Sequence, residues 1–359
     1  MSHRRQLASM ASLSIGNHEI RQGGRPLVIA EMSGNHNQSL ETALAIVQAA
    51  ADAGANAIKL QTYTADTITL DVNGGPFVIS DERSPWAGQR LYDLYDQAHT
   101  PWEWHAPIFA RAKELGLLAF SSPFDFTAVD FLESLDVPAY KIASPEIVDL
   151  PLIEKVARTG KPIIMSTGMA TLAEIDEAVQ AARGAGAREI VLLKCCSAYP
   201  AAPEEMNLHT IPHLAAAFDM PTGLSDHTLG WAVPVTAVAL GACVIEKHLA
   251  LSRSLPGPDV AFSLEPAEFK AMVAAVRIAH QALGKVDYSL HPREAPSRAC
   301  RRSLFIVADV RRGEPFTVQN VRSVRPADGL PPKYLAQVVG RKATRDLAAG
   351  SALAWDMIG

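Results

Sequence analysis

Eight short apolar runs are spaced along the chain, and each ends in charged, hydroxyl-bearing or imidazole side chains that a hydrophobic core disfavours. Most of the stretches between them are long and periodic enough to form helices. Strands that alternate with helices indicate parallel βαβ units, and eight such units close into a (β/α)8 barrel. Active sites in this fold lie at the carboxyl ends of the strands. The runs are residues 27–30, 57–58, 117–120, 139–140, 163–165, 190–193, 222–224 and 243–245.

The predicted fold is therefore an α/β TIM barrel, and the chain is longer than one barrel requires. A barrel takes about 250 residues, whereas this chain has 359. We expect the catalytic barrel in residues 1–285 and a polar linker with two prolines in residues 286–297. Residues 298–359 would then form a small β-rich domain, with β-like runs at 304–307 and 337–339.

Several predicted helices carry boundary residues. Ser39 precedes a periodic stretch that Gly54 ends, and Thr171 with a Glu three residues later has the spacing of a capping box. Residues 64–99 are the exception, because they predict a long loop over the mouth of the barrel. Long loops in compact domains are usually functional.

The composition is that of an ordinary globular protein, with 48% hydrophobic and 20% charged residues. The four cysteines have neither metal-ligand nor framework spacing, which predicts reduced thiols in the cytoplasm. The first residues lack the apolar segment of a signal peptide. The longest uncharged stretch, residues 229–245, predicts a buried helix and a strand rather than a membrane span.

Charge is divided unevenly along the chain. Residues 286–359 carry 12 Lys and Arg against 7 Asp and Glu, a net charge of +5, and the whole chain carries −5, which leaves −10 for residues 1–285. A basic domain can indicate nucleic-acid binding, but these arginines have no aromatic residues between them. We expect no nucleic acid. The basic domain is expected to pack over an anion-binding mouth, in the same chain or in a partner subunit.

Two histidines follow neighbouring strands, His227 after the seventh and His248 after the eighth. Two imidazoles near one point, with carboxylates close by, suit a divalent metal that keeps open positions for substrate. Asp226 or Glu246 would then orient a ring nitrogen. The alternative is that each histidine makes one structural hydrogen bond and nothing more.

Lysines follow the second, fourth and sixth predicted strands, and serines follow the third, fourth and fifth. Lys59 and Lys141, with Lys194 as a further candidate, would be costly to bury without an anion. The neutral donors Ser122, Ser144 and Ser166 join them at the mouth, and residues 166–168 lead through a glycine turn into the helix at Thr171. A glycine turn at a helix start suits a phosphate or carboxylate, although such turns are common in barrels. The combination predicts an anionic ligand.

Three carboxylates are further candidates. Glu31, at the end of the first strand, either positions a water molecule or forms an ion pair with Lys59 across the barrel top, and the sequence leaves both open. Glu146 and Asp259 lie in the loops after strands four and eight. They would hold sugar hydroxyls or amides, or remain solvated loop acids.

Several motifs in one order resemble the sialic acid synthase family, and the similarity spans nearly the whole chain. Residues 298–359 are similar to the antifreeze-like (SAF) domain. The motifs are Ile29-Ala-Glu-Met-Ser-Gly-Asn-His-Asn37, Ile58-Lys-Leu-Gln-Thr62, Tyr140-Lys-Ile-Ala-Ser144, Met165-Ser-Thr-Gly-Met169, Gly223-Leu-Ser-Asp-His-Thr228 and Pro256-Gly-Pro-Asp259.

The resemblance implies condensation of phosphoenolpyruvate with an acylamino sugar. It implies catalytic roles for Glu31, Lys59 and Lys141 and a Mn²⁺ or Mg²⁺ ion on His227 and His248. The residues it implies for phosphoenolpyruvate are Lys59, Ser122, Lys141, Ser144, Ser166 and Ser225. Those for the sugar are Gln61, Glu146, Tyr199, Asp259 and Arg325, the last reaching from the SAF domain of the other subunit in a domain-swapped homodimer.

Three further motifs narrow the choice of acceptor sugar. Residues 31–35, 91–95 and 100–105 resemble a branch of the family whose acceptor is 2,4-diacetamido-2,4,6-trideoxy-L-altrose. The alternatives are an N-acetylneuraminate or legionaminate synthase that uses another acylamino sugar, a metal-dependent barrel aldolase, and a non-catalytic carbohydrate-binding protein. Two positions depart from the family pattern. Cys196, at strand six, and Ser122 each stand where Thr is common in the family.

Overall fold

The structure is a computed structural model that describes residues 12–82 and 84–359. The chain divides into two compact units between Gly284 and Lys285. The first eleven residues of the domain expected at 1–285 lie outside the described residues.

The first unit is a closed barrel of parallel strands, as predicted. Each strand pairs with the next, and the last pairs with the first, where His248 lies opposite Glu31. The barrel strands in the described part of the chain are β3 (Leu27–Glu31), β4 (Ala57–Thr62), β5 (Leu118–Pro123), β6 (Tyr140–Ile142), β7 (Ile163–Ser166), β8 (Ile190–Cys195), β9 (Thr222–Asp226) and β10 (Val244–His248).

Helices connect the strands, and their boundaries follow the predicted cap residues. The Ser39 side chain accepts a hydrogen bond from the Thr42 amide, and Gly54 ends that helix at φ 83°, a conformation that favours glycine. The Thr171 capping box is present. The helices of this unit are α1 (Leu40–Ala53), α2 (Ala65–Ile68), α3 (Leu91–Ala98), α4 (His105–Glu114), α5 (Phe126–Ser134), α6 (Leu150–Ala157), α7 (Leu172–Gly184), α8 (Thr210–Phe218), α9 (Ala232–Ala239) and α10 (Pro266–Leu283).

Strand alternation sorts the apolar residues into two cores. In β3, Leu27 and Ile29 belong to one buried cluster, whereas Val28 and Ala30 belong to another that includes residues of α1 and α10. Successive side chains of a strand point to opposite faces of the sheet. The apolar layers inside the barrel therefore form a floor, and polar residues occupy the next positions toward the carboxyl ends.

Two features of this unit differ from the sequence expectation. A hairpin of β1 (Leu13–Ile15) and β2 (His18–Ile20) precedes the barrel. The segment 64–99, expected as a loop, contains the two helices α2 and α3. The strands and helices of both pieces are short, between three and eight residues, so their sequence periods are too brief to predict them.

The second unit contains a two-stranded antiparallel sheet, β11 (Ser303–Ile306) and β12 (Val321–Val324), and the short helices α11 (Ala295–Arg298) and α12 (Leu335–Val338). The expected β-like run at 304–307 is confirmed, but the run at 337–339 is wrong, because α12 occupies most of it. Val338 is buried from that helix and packs with Leu304 and Val321. A short apolar run such as Val338-Val339 fits a helical turn as well as a strand, and periodicity alone does not separate the two.

Among the described residues, no helix combines the length and apolar character that crossing a lipid bilayer requires.

Candidate active site

A cavity of about 550 Å³ opens at the carboxyl ends of the barrel strands. Most of the side chains singled out from the sequence line it. They are Glu31, Lys59, Gln61, Lys141, Ser144, Glu146, Ser166, Tyr199, Ser225, His227, His248 and Asp259. Ser122 lies behind Lys59, whose Nζ donates to Ser122 Oγ over 3.2 Å. Arg325 is in the second unit, exposed, directly after β12.

The alternation of each strand decides which residues enter the cavity. In β10, Glu246 and His248 line it, whereas Lys247 between them points outward. Lys194 also points away, since its Nζ donates to the Cys195 carbonyl at 2.9 Å and it is not among the lining residues. The further candidate Lys194 is therefore not brought to the site, whereas Cys195 is.

Two lysines and two carboxylates form the base of the cavity. Lys59 Nζ lies 2.6 Å from Glu31 Oε2 and 3.8 Å from Glu246 Oε1. Lys141 Nζ lies 3.6 Å from the same Glu246 oxygen. From the sequence, Glu246 was expected only as a partner of a histidine. Its position two residues before His248 on the same strand could have placed it beside the lysines.

Burial sets the protonation of this cluster. Burial raises the pKa of Glu31 to about 7, although the charge of Lys59 acts in the opposite direction. Burial also favours the protonated form of Glu246, but Lys141 and Lys59 outweigh it and lower the pKa. For Lys141, burial lowers the pKa and Glu246 offsets this only in part. Glu31 therefore gains and loses its proton near neutral pH, whereas Lys59 and Lys141 favour the ionised form of Glu246.

The two imidazoles share this basin, with ring centroids 5.4 Å apart. His227 Nδ1 donates to the Cys196 carbonyl over 2.8 Å, so Nε2 is the ring nitrogen left to bind a metal when the ring is deprotonated there. The expectation that Asp226 or Glu246 would orient a ring nitrogen is wrong. Asp226 lies on the outer face of the barrel, where it pairs with Lys247 and Thr228.

The donor set fits a divalent metal that completes its coordination with substrate or water. His248 Nδ1 is buried without a hydrogen-bond partner within residues 12–82 and 84–359. Burial and the charge of His227 lower the pKa of His248 well below its ordinary value, so the ring is neutral, as a ligand must be. Across the same residues, no three His, Cys, Asp or Glu side chains form a complete metal cage.

Hydroxyl groups line the side of the cavity formed by β6 and β7. Ser144 Oγ accepts from the Gly168 amide at 3.1 Å, and a Cβ at Gly168 would lie only 2.3 Å from Ser197 Oγ. Ser166 Oγ is buried with no partner in the described part of the chain. The helix start beyond the turn is occupied by its own capping box, so hydroxyls rather than helix amides face the cavity.

The outer part of the cavity carries the remaining carboxylates. Ser33 Oγ donates to Asp259, and the Gly34 amide lies 3.4 Å from the same oxygen. Glu146 Oε2 is buried and unpaired among the described residues, and burial raises the pKa of Glu146 to about 7. The Tyr199 ring packs on His227 with centroids 4.4 Å apart.

A parallel barrel with charged, hydroxyl and imidazole groups around one mouth defines the chain as a (β/α)8-barrel enzyme. More narrowly, the chain belongs to the NeuB family, which residues 46–288 match. Residues 301–359 match the SAF domain. Synthases of this family are generally metal-dependent.

Curated relatives cover nearly the whole chain. It is 45% identical over 334 residues to a pseudaminic acid synthase of Helicobacter pylori, which covers 93% of this chain and 98% of the relative. It is 36% identical to an N,N'-diacetyllegionaminic acid synthase of Legionella pneumophila, over 92% of this chain and 94% of the relative.

A solved structure shares the fold. The N-acetylneuraminic acid synthetase of Leptospira borgpetersenii, crystallised with citrate, superposes with a TM-score of 0.70 at 30% identity. The match covers 80% of this chain and 95% of that structure.

Proposed function

We propose that the protein is a pseudaminic acid synthase. It condenses phosphoenolpyruvate with 2,4-diacetamido-2,4,6-trideoxy-L-altrose and releases inorganic phosphate and a nonulosonic acid. The 45% identity to a pseudaminic acid synthase over 93% of the chain supports this acceptor. The observation that carries the chemistry is the single cavity in which Lys59, Lys141, His227 and His248 all lie.

Phosphoenolpyruvate occupies the base of this cavity. Lys59 and Lys141 neutralise its phosphate and carboxylate charges, and the hydroxyls of Ser144, Ser166 and Ser225 donate to its oxygens. Ser122 contributes through Lys59, because its hydroxyl accepts a hydrogen bond from the Lys59 ammonium group. The presence of both ammonium groups in one cavity supports this assignment, as does the unpaired hydroxyl of Ser166 among the described residues. Buried ammonium groups favour an anion, because each one left without a counter-charge is expensive.

His227 and His248 hold a divalent metal, Mn²⁺ or Mg²⁺. When bound, it acts as a Lewis acid toward the aldehyde oxygen of the open-chain sugar. The unpaired His248 Nδ1 among the described residues and the hydrogen bond that fixes the ring of His227 support this role.

The residues of the cavity then guide the bond changes. Carbon C3 of phosphoenolpyruvate attacks the aldehyde carbon, and positive charge develops at C2. Glu31 accepts a proton from a water molecule as the water oxygen bonds to C2, and this proton passes to the former aldehyde oxygen, which becomes a hydroxyl. The C2–O bond to phosphate then breaks as the new C2 hydroxyl gives its proton to the leaving phosphate, so that C2 becomes a ketone. A pKa of about 7 suits a group that takes up and returns a proton near neutral pH.

Gln61, Glu146, Tyr199 and Asp259 hold the sugar at the outer side of the cavity. We assign the acyl group of the sugar to Arg325 from the SAF domain of a partner subunit, which makes the active enzyme a domain-swapped homodimer. The exposure of Arg325 and the net charge of +5 on residues 286–359 support this arrangement. We place the enzyme in the cytoplasm, where phosphoenolpyruvate is available.

Phosphate release tests the proposal. Purified protein is incubated with phosphoenolpyruvate and one of several acylamino sugars, with and without a chelator. We expect phosphate release only with metal present and fastest with the L-altrose acceptor, and a product whose mass and NMR spectrum match the nonulosonic acid. Phosphate release with another acceptor alone would contradict the assigned sugar. Absence of release with every acceptor would contradict the synthase itself, as an aldolase or a non-catalytic binder predicts.

A second candidate is N,N'-diacetyllegionaminic acid synthase. The 36% identity to such an enzyme favours this candidate over an aldolase or a non-catalytic binder. Its acceptor would also be an acylamino sugar. The same acceptor panel separates the two.

A further inference from the structure

The cavity has two chemically different sides. Lysines, carboxylates and imidazoles form its base, whereas one outer wall is almost entirely apolar. That wall comes from α3 and the segment before it, and it includes Ile68, Ile79, Trp86, Leu91 and Leu94. The roles assigned above use none of these residues.

Helix α3 contributes one continuous face to the wall. Leu91, Leu94, Tyr95 and Ala98 follow the i, i+3, i+4, i+7 spacing of a helix face, and all four line the cavity. Leu94 is buried and the others are half-buried, so the face lies against the open space of the cavity.

The opposite face of α3 holds the helix in place. Arg90, at its start, bonds Asp93 at 2.6 Å and Asp71 at 3.0 Å. The Tyr92 hydroxyl donates to Asp66 over 3.0 Å. The polar side of the helix is therefore tied to the segment before it, and the apolar side is left for the cavity.

Contacts with other loops of the barrel fix the wall against the site. Trp86 Nε1 donates to the Pro258 carbonyl over 2.9 Å, and its ring lies 5.6 Å from that of Tyr199. Gly34 permits close packing here, because a Cβ at that position would lie 2.8 Å from Pro258 and 3.3 Å from Ala98.

We infer that the apolar face of α3 selects the acceptor by contacting its methyl groups. The inference rests on the proposed function and deepens it. A 2,4-diacetamido-2,4,6-trideoxy hexose carries methyl groups at C6 and on two acetamido groups. N-acetylmannosamine carries hydroxyls at C4 and C6, and a hydroxyl against this wall loses its hydrogen bonds to water without gaining a partner.

The size of the effect follows from how apolar pockets discriminate. One added or missing small group in such a pocket changes kcat/KM by roughly 10- to 200-fold. The wild-type enzyme should therefore prefer the trideoxy acceptor to N-acetylmannosamine by a factor in that range. Polar substitution in the wall should reduce the ratio.

The test compares Leu91→Asn with Leu70→Asn, using both acceptors. Leu91 lines the cavity, whereas Leu70 is 59% exposed and is not among the lining residues, so it is the matched control. We expect Leu91→Asn to lower kcat/KM for the trideoxy acceptor about tenfold, mainly through acceptor KM. The KM for phosphoenolpyruvate should be unchanged, and Leu70→Asn should match wild type.

Leu91→Met preserves the apolar surface and should retain the wild-type ratio, which separates recognition from misfolding. The inference is overturned if Leu91→Asn lowers kcat/KM for both acceptors equally, or if phosphoenolpyruvate KM rises with it. A wild-type enzyme that turns over neither acceptor would contradict the proposed function instead. A wild type that uses both acceptors equally well would overturn only the role of α3.

Discussion

At the scale of the residue, the base of the cavity combines Glu31, Lys59, Lys141 and Glu246 within a few ångströms. Lys59 is 3% exposed and Lys141 is 2% exposed, so their charges are compensated by protein groups rather than by water. Removing one partner of a buried ion pair lowers the free energy of unfolding by about 3–5 kcal/mol. Each member of this cluster therefore affects both stability and ligand affinity, and experiments must separate the two.

Glu31→Gln separates the two roles considered for this carboxylate. If Glu31 takes a proton from water, turnover should fall by roughly 10²–10⁴-fold, while phosphoenolpyruvate affinity stays nearly intact because Glu246 still lies 3.8 Å from Lys59. The wild-type rate should rise with pH through about 7, as Glu31 loses its proton, and the variant should lack this rise. Stopped-flow phosphate release and calorimetric titration measure these quantities. A large loss of phosphoenolpyruvate affinity would identify Glu31 as an ion-pair partner of Lys59 only.

Glu146→Gln tests the buried, unpaired carboxylate. Its folded-state pKa of about 7 lies above the unfolded value of 4.5, so the folded protein binds the proton more tightly. The stabilising effect of that proton is full below pH 4.5 and is lost as the pH rises through 7. Urea unfolding should show equal stability for variant and wild type near pH 4, and a variant more stable by about 1–3 kcal/mol at pH 8.

Glu177→Gln is the control, since Glu177 is an exposed residue of α7. The expectation for Glu146 fails if the two variants respond to pH alike.

The sequence indicated most of these residues but not their contacts. Polar residues at strand ends had to meet at one mouth, because parallel strands of a barrel share that edge. Which partner each one contacts depends on inward or outward orientation. The Cys196 carbonyl that holds His227 could not be anticipated, because a backbone acceptor leaves no trace in residue type.

At the scale of the element, the two-residue period of β9 and β10 produces two layers of charge. His227, Glu246 and His248 face the cavity, while Asp226 and Lys247 form a pair on the outer side at 2.5 Å with both side chains at 0% exposure. The pair joins the two strands that carry the imidazoles. Its loss should therefore affect the alignment of the histidines as well as stability.

Lys247→Met should lower the free energy of unfolding by about 3–5 kcal/mol, because Asp226 remains buried without a counter-charge. Arg158→Met is the control: Arg158 is 63% exposed and pairs with Glu154 at 2.8 Å. Its loss should cost less than about 1 kcal/mol. Urea unfolding measures both, and similar costs for the two variants would show that the Asp226 pair is not a major support of β9 and β10.

Helices were predictable where an apolar repeat of helical period followed a residue that caps the helix start. The capped helices at Ser39 and Thr171 formed as expected, since their side chains satisfy the first free amides. Helix α3 was missed because Arg90 gives it no side-chain cap and it is only eight residues long. The apolar spacing that marks it became meaningful only once the cavity was known.

At the scale of the whole molecule, the charge of the chain is separated between its two parts. Residues 1–285 carry a net charge of −10 and residues 286–359 a net charge of +5. In the proposed dimer, the basic domain of one subunit completes the active site of the other.

Subunit complementation tests this arrangement. Arg325→Ala has an intact barrel and a defective SAF domain, whereas His227→Ala has the reverse. Each should be nearly inactive alone, and refolding the two together should restore a substantial fraction of phosphate release, since mixed dimers contain one complete site. Lack of recovery in mixed dimers, verified by differential tagging, would show that Arg325 does not act across subunits. Full activity of Arg325→Ala alone would remove it from the site.

The central claim is that the two imidazoles form a metal site in the same basin as the two lysines. Pulsed EPR of Mn²⁺ added to the purified protein tests it most directly, because coupling to imidazole nitrogen reports the ligands themselves. We predict nitrogen coupling in the wild type, its loss in the His227→Ala, His248→Ala double variant, and its retention in Lys59→Met. Bound Mn²⁺ without nitrogen coupling, or with coupling that survives in the double variant, would contradict the claim.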